Sequence, residues 1–566
     1  MSKIELFILI SLGFLIFTVL FIRLGFFFGV TINSFTLIFS FITYCLSLSA
    51  LLLFMNLARE KLIRYLFSLL LFIIGSFIIG AISLLLSFTY DISWDGQGYH
   101  QTAVIALADN WNPIYEESIQ FSQKLPSQIF AEGYPSALWE LEASVYSLTG
   151  KINSAKIFNI AIILIAALLV YSLLRKLLFG KIMSLIIAAL IVIQPIYVLQ
   201  MLTFMQDGFG YELLVIAVSS LTIAIITPKS YWALLVFIMA EVMLVSTKYS
   251  HLPVALILGI IFIIVLLNRY MNRQYVFNKS IKLIFSAIII TTLIFAYLPY
   301  VRNQLFHNAP FYPTNITELM GSVTYNNVPL NLSKENKFNL LFYGIFSKSQ
   351  PKESGDPRSK ENIAQLKIPF TMSINEIKDA GGHFNNRVGA GGPLFSGVVI
   401  LSFIFLVITS FRTKNVKQRY AIYAGYFSIA VILLLSLLAP TPNLLRYVNQ
   451  LQLLPFVIII PIYTVFKNIY ARLSTFVILF LIAINISLFS AVVVEKNLAD
   501  NSQINRQFKD MRNSKSEYMV RAQQFYSSYI ILNEQKIPFK VSDKLICEGI
   551  KEMVVSSTTT QYCEVN

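Results

Sequence analysis

The 566-residue sequence is 56% hydrophobic and only 13% charged, with a mean hydropathy of +0.68. This excludes an ordinary soluble globular protein, in which about a quarter of residues are charged. The formal net charge of +15 would suit a nucleic-acid binder, but the cations gather in short loops between apolar runs, as in membrane proteins; no nucleic-acid partner is expected. The apolar runs are about 20 residues long, the length of helix that crosses a bilayer, and lack the ten-residue alternation of a membrane barrel. The chain therefore reads as an all-α polytopic membrane protein.

In chain order the apolar runs predict thirteen spans: 4 to 29, 34 to 55, 65 to 89, 157 to 174, 182 to 203, 208 to 227, 231 to 246, 253 to 267, 283 to 300, 394 to 411, 420 to 438, 450 to 466 and 473 to 494. The first lacks a small-residue cleavage site and is read as a retained helix, not a signal peptide. Loops on one side carry Arg59, Lys61 and Arg64, then Arg175, Lys176 and Lys181, Lys229, Arg269, Arg273, Lys279 and Lys282, Arg412, Lys414, Lys417 and Arg419, and Lys467 and Arg472. That side is assigned to the cytoplasm, with a bacterial cytoplasmic membrane as the default. The segments 90–156 and 301–393, and the tail from 495, then face outward, with the C-terminus outside. All four histidines, His100, His251, His307 and His383, fall on this side.

The stretch Trp94-Asp95-Gly96-Gln97-Gly98-Tyr99-His100 stands where the third span meets water. A carboxylate, an imidazole and two aromatic rings at a membrane exit suit chemistry on a lipid-linked substrate. The plain alternative is a helix-exit turn, because Asp-Gly is a common turn and Trp and Tyr anchor helices at interfaces. Within this acidic segment, Thr102 to Ala108 and Ser136 to Leu148 have helical spacing and predict helices that lie along the membrane surface or, as ordinary loop helices, pack on the bundle. Met205-Gln206-Asp207-Gly208 puts a second carboxylate at an outer helix end, where an ordinary turn is again the alternative.

The short outer loops are nearly free of cations, and Lys248 and Arg446 are the exceptions. Each either pairs with a nearby carboxylate or holds a phosphate, Arg446 through its planar fork and Lys248 as a point charge. Glu241, inside an apolar span where a carboxylate is costly, is either functional or sits in a polar contact between helices or close to a water-filled cavity. The polar stretch from Lys348 to Asn362 reads as a mobile loop. Cys547 and Cys563 in the tail can close a disulfide or remain two thiols. No P-loop, dinucleotide fingerprint, HExxH or paired CxxC is present, so nucleotide-binding and zinc-hydrolase readings lose their usual support.

The order of these pieces resembles the GT-C superfamily of integral-membrane glycosyltransferases, of the aminoarabinose-transferase and protein O-mannosyltransferase type. The resemblance runs over roughly residues 65 to 470 and rests on Tyr90 to Gln101, Glu132-Gly133-Tyr134-Pro135, Gln206-Asp207-Gly208, Thr247-Lys248, Asn308-Ala309-Pro310-Phe311-Tyr312-Pro313 and Arg446-Tyr447. It implies a division into residues 1–64, two extra N-terminal helices; 65–300, a GT-C-like catalytic transmembrane module with the first outer loop at 90–156; 301–393, a large outer loop; 394–494, C-terminal helices; and 495–566, a small outer tail domain.

It further implies transfer of a sugar from a polyprenyl-phosphate carrier to a glycan, lipid or protein acceptor on the outer face, in cell-envelope glycan biosynthesis. Departure of a polyprenyl phosphate needs mainly a base for the acceptor hydroxyl and cations for the developing phosphate charge. Asp95 is the candidate base, acting in one inverting displacement. Asp207 would orient the acceptor, or share a divalent cation, Mg2+ or Mn2+, with Asp95. Lys248 and Arg446 would hold the carrier phosphate, and Tyr99, His100 and Arg302 would contact sugar or phosphate. Two readings compete. A glycan polymerase or ligase using a polyprenyl-diphosphate donor would need more cations near the outer site, and a flippase or transporter without chemistry would show broken helices and several charges deep in its spans.

Overall fold

The computed structural model describes residues 1–54, 59–121, 125, 127–228, 230–271, 289, 291–351, 363–384, 386–556 and 560–565. Among these, eight helices are long and apolar enough to cross a membrane, and four shorter apolar helices accompany them. The chain is an integral membrane protein built from helices. Much of the ninth expected span, 283 to 300, lies outside the described residues, as do Lys229, Arg273, Lys279, Lys282 and the middle of the polar stretch, 352–362.

The N-terminal helices are α1 (Lys3–Phe27), α2 (Thr36–Phe54) and α3 (Arg59–Leu86). A reciprocal cap starts α1: Glu5 N–H donates to Ser2 Oγ at 3.2 Å, and Ser2 N–H donates to the Glu5 carboxylate at 2.7 Å. The two leading helices are placed differently. α2 buries only Thr36, Ser40, Tyr44 and Leu52, whereas α1 carries Arg23, 0% exposed, into the bundle. Arg23 Nε and Nη2 reach the Glu140 carboxylate at 2.9–3.1 Å, and Nη1 donates to the carbonyls of Phe295 and Leu298 at 2.6 and 3.1 Å.

Glu140 lies on α5 (Ala137–Thr149), which packs with α4 (Gln101–Ala108). These two are the helices expected to lie along the membrane surface or to pack on the bundle. The structure buries every residue from Gln101 to Leu107 and from Ala137 to Val145, because both are covered by other parts of the chain. The middle of the bundle follows with α6 (Ile157–Lys176), α7 (Lys181–Val192), the short α8 (Pro195–Gln200), α9 (Asp207–Ile226), α10 (Tyr231–Val245) and α11 (Leu252–Met271). After the segment 301–393 come α12 (Phe395–Ser410), α13 (Val416–Leu438), α14 (Leu454–Val465) and α15 (Ile469–Ser514). In that segment, β1 (Gln350–Pro351) pairs antiparallel with β2 (Asn386–Val388).

The last span was expected to end near 494, yet α15 continues unbroken for 46 residues to Ser514, about 69 Å at 1.5 Å per residue. Its polar half is held by tertiary contacts: Asn501 Oδ1 accepts from Tyr90 N–H at 2.8 Å, and Phe508 meets the Tyr90 ring at 5.5 Å. Beyond it stands a small α/β domain with β3 (Glu517–Arg521), β4 (Phe539–Val541), β5 (Lys551–Glu552) and β6 (Gln561–Val565). The sheet order is β4-β3-β6-β5. β3 and β4 run parallel, and the helix Ser527–Glu534 lies between them in the chain. Cys547 and Cys563 form a disulfide.

This domain rests on the segment between α3 and α6. Gln97 Nε2 donates to the Val555 carbonyl at 2.5 Å, Ile152 N–H to Glu534 Oε1 at 2.7 Å and Gln535 Nε2 to Tyr90 Oη at 3.0 Å, while the Phe121 and Tyr526 rings stack at 4.1 Å.

Candidate functional site

The loop that leaves α3 is shaped by Asp91, a buried acid that sequence reasoning passed over. Its Oδ1 accepts the backbone N–H and the hydroxyl of Ser93, both at 2.7 Å, and its Oδ2 accepts Phe204 N–H at 2.7 Å. Asp91 thus ties the loop bearing Asp95 to the loop bearing Asp207. The turn passes so close to this carboxylate that a Cβ on Gly96 would lie 2.1 Å from Asp91 Oδ2, which explains glycine after Asp95. A single wide π-turn, Gly96–His100, then leads into α4, a deviation frequent at functional sites.

Asp207 is the first residue of α9, where the positive end of the helix dipole favours a carboxylate. Gln200, at the end of α8, holds it from both sides: Nε2 donates to Asp207 Oδ2 at 3.2 Å, and Oε1 accepts Gly208 N–H at 2.7 Å. Lys248, in the turn after α10, donates to Asp207 Oδ1. Arg446, in a short turn at Leu445–Tyr447, donates through Nη1 to Asp95 Oδ2 at 2.6 Å.

These two ion pairs form one cluster, since Arg446 interacts electrostatically with both Asp95 and Asp207. Tyr447 adjoins both cations, its ring 5.1 Å from Lys248 Nζ and 5.0 Å from the Arg446 guanidinium carbon. Arg446 Nη2 also donates to Tyr447 Oη at 3.3 Å. The Arg446 Nε is buried without an acceptor among the described residues.

The structure brings His100 and Tyr99 to the same place. Trp139 Nε1 donates to His100 Nδ1 at 2.9 Å, and the Tyr99 ring lies 4.2 Å from the imidazole. Desolvation, with smaller contributions from Lys248 and Arg446, outweighs the attraction of Asp95 and Asp207 and pushes the His100 pKa down to about 3. The imidazole is therefore neutral at physiological pH, and a donated hydrogen bond from Nε2–H is its available contribution. Trp139 Nε1 also lies 2.7 Å from the Gln206 amide oxygen in the orientation that satisfies that amide, a further tie between the two acidic loops.

Arg302, expected at sugar or phosphate, is placed otherwise. It is 1% exposed, and its Nε and both terminal nitrogens donate to the carbonyls of Pro113, Glu132, Glu116 and Glu117 and to Asn303 Oδ1, at 2.6–3.3 Å. All five of its N–H groups are accounted for, so Arg302 holds the loop from Pro113 to Glu132 in shape and has no donor left for a substrate.

Asp95 and Asp207 are also the acids to which a divalent cation was assigned. Each already faces a cation, and among the described residues no group of three His, Cys, Asp or Glu could hold a metal. Two carboxylates balanced by Arg446 and Lys248 do not suit an ion that takes several oxygen ligands.

No protein-family model and no curated protein matches the chain. Among solved structures it is similar to ArnT from Cupriavidus metallidurans in the apo state, with 12% identity and a TM-score of 0.36 over 84% of this chain and 85% of that one. It is likewise similar to ArnT bound to undecaprenyl phosphate, with 12% identity and a TM-score of 0.36 over 83% and 85%. A likeness of this degree carries no residue's role from ArnT to this chain.

Proposed function

We propose that the chain is a membrane glycosyltransferase that moves a sugar from a polyprenyl-phosphate carrier to an acceptor hydroxyl at the outer face, with inversion. The observation that carries this reading is the Asp95–Arg446 pair: an acid at a membrane exit whose cation partner keeps a buried Nε–H without an acceptor among the described residues.

The chemistry follows from the groups. Asp95 removes the acceptor proton as the hydroxyl oxygen attacks the anomeric carbon. The bond from that carbon to the phosphate oxygen breaks, and its electron pair stays on the phosphate, where Arg446 and Lys248 balance the added charge. Asp207 orients the acceptor, and His100 donates a neutral hydrogen bond to the sugar.

Both acids are neutralised by these same two cations before any substrate binds. An arriving phosphate competes for Arg446 and Lys248, and a carboxylate relieved of its cation becomes more basic. Donor binding therefore prepares Asp95 as a base, and the order donor first, acceptor second follows.

The test is transfer of radiolabelled sugar from a panel of polyprenyl-phosphate sugars to membrane extracts, comparing purified wild type with Asp95→Asn. A folded Asp95→Asn protein is expected to lose about 10²–10⁴ of the rate, as for removal of a general base. A variant as fast as wild type removes Asp95 from that role. If neither protein transfers, the monophosphate donor is wrong, and diphosphate-linked donors and then transport are tested.

A further inference from the structure

The end of the bundle away from the outer site has a feature that the transfer reaction does not use. A groove of about 360 Å³ runs between α12 and α15. Its walls are apolar, with Leu401, Ile404, Phe405 and Ile408 on one side and Val477 and Ile478 on the other. At its mouth stand Arg412, Asn468 and Tyr470, with the Arg412 guanidinium 5.9 Å from the Tyr470 ring. A groove of this size falls within the range of small-molecule sites, about 300–1,000 Å³.

The charge around the mouth is one-sided. Arg412, Lys414, Lys417 and Arg419 lie in or beside the α12–α13 connection, Lys467 and Arg472 flank the start of α15, and all six are exposed. No acidic residue occurs anywhere between Asp379 and Glu495, and among the described residues none of the six has a carboxylate partner. The N-terminus of α15 opens at the same mouth, capped by Asn468, whose Oδ1 accepts Ala471 N–H at 2.7 Å. Its dipole adds positive potential there.

We propose that this groove is a binding site for an anionic glycerophospholipid of the leaflet opposite the outer site. One acyl chain lies against the apolar walls, and the headgroup phosphate sits among Arg412, Lys467, Arg472 and the start of α15. A zwitterionic lipid fits the apolar part equally well but carries no net charge to answer six cations, and juxtamembrane cations favour anionic lipid. The inference rests on the groove and its charges, and stands or falls apart from the transferase reading.

The full-length protein, purified in detergent with a mixture of phosphatidylglycerol and phosphatidylcholine of matched chains, is examined by native mass spectrometry. Wild type is expected to retain phosphatidylglycerol at least tenfold over phosphatidylcholine. Arg412→Gln combined with Arg472→Gln, both at exposed positions, is expected to abolish that preference, whereas Lys61→Gln, an exposed cation on α3, leaves it intact. Ser474→Trp, which fills the groove from a half-buried position, is expected to remove bound lipid of either kind. Equal retention of the two lipids by wild type overturns the proposal, as does an undiminished preference in the double variant. Retention of a second copy of the chain in place of lipid overturns it as well.

Discussion

Arg23 in the bundle and Arg446 beside Asp95 are both buried and both paired with a carboxylate, yet their guanidinium groups are engaged to different degrees. Arg23 meets Glu140 through two nitrogens and two backbone carbonyls through the third, and Glu140 takes a further 2.6 Å bond from Ser136 Oγ. Arg446 reaches Asp95 through one nitrogen, touches Tyr447 through another and leaves its Nε without an acceptor among the described residues. Arg302, with its N–H groups all donated to loop acceptors, falls on the Arg23 side. A buried arginine with an acceptor at every nitrogen, as Arg23 and Arg302 have, holds elements together, and leaving a nitrogen unmatched there would only cost stability. On the proposed function, Arg446 keeps its spare Nε–H for the carrier phosphate.

The contrast is sharpest in paired substitutions. Arg446→Lys keeps the charge that Asp95 needs but loses the fork, so kcat/KM for transfer is expected to fall about 10²–10³-fold, as for a lost oxyanion donor, with little change in Tm. A drop in Tm as large as that of an Arg23 variant would make Arg446 another strut and break the distinction.

Arg23→Met should do the reverse. It strands the Glu140 carboxylate in the bundle and is expected to cost about 3–5 kcal/mol, read as a lowered Tm in detergent, with activity per folded molecule preserved. Adding Glu140→Gln to Arg23→Met should recover much of that loss. Failure to recover any of it would mean that the carbonyl contacts of Arg23, not its ion pair, hold α1 in place.

A smaller effect is expected where the tail domain meets the first outer loop. Burial pushes the Glu534 carboxyl up to about 7, against smaller opposing effects of the Ile152 N–H and Lys151. A carboxyl whose folded pKa is raised gives stability that is complete below its unfolded value, about 4.3, and is lost as pH rises through 7. Tm of the wild type should therefore decline over that window, and Glu534→Gln, which keeps the acceptor for Ile152, should flatten the decline. An identical pH profile in the variant would place the effect elsewhere. Smallest of all is the expected response to chelation: transfer in EDTA should match transfer without it, and a loss restored by Mg2+ or Mn2+ would show that a metal displaces the cations from Asp95 and Asp207.

Part of this arrangement could be read before any coordinates. Lys248 and Arg446 drew notice because they broke the charge rule for their side of the membrane, and they face Asp207 and Asp95, acids noticed at helix exits. Hydropathy likewise marked the apolar helices, and the tail cysteines their disulfide. What could not be read were contacts between distant segments. Asp91 is one acid among several in its loop until it meets Phe204 N–H, 113 residues away. Arg302 looked like a free cation because its partners are backbone carbonyls, which leave no trace in a sequence. Arg23 did have a signal, a lone cation within an apolar run, where a buried partner is the rule. The polar half of α15 had none in hydropathy, since its helix is held by Tyr90 and the tail.

That long helix also sets a phase. Each residue of an α-helix advances about 1.5 Å and turns about 100°. One residue inserted between Glu495 and Ser514 would therefore lift the tail domain and swing it around the helix axis, carrying Val555 and Glu534 away from Gln97 and Ile152. Seven residues, close to two full turns, would restore the bearing but raise the domain by about 10 Å. The roof over the Asp95 loop is thus indexed to the membrane by the length of a single rod, and in this stretch of chain residue count is itself under structural constraint, whatever the side chains.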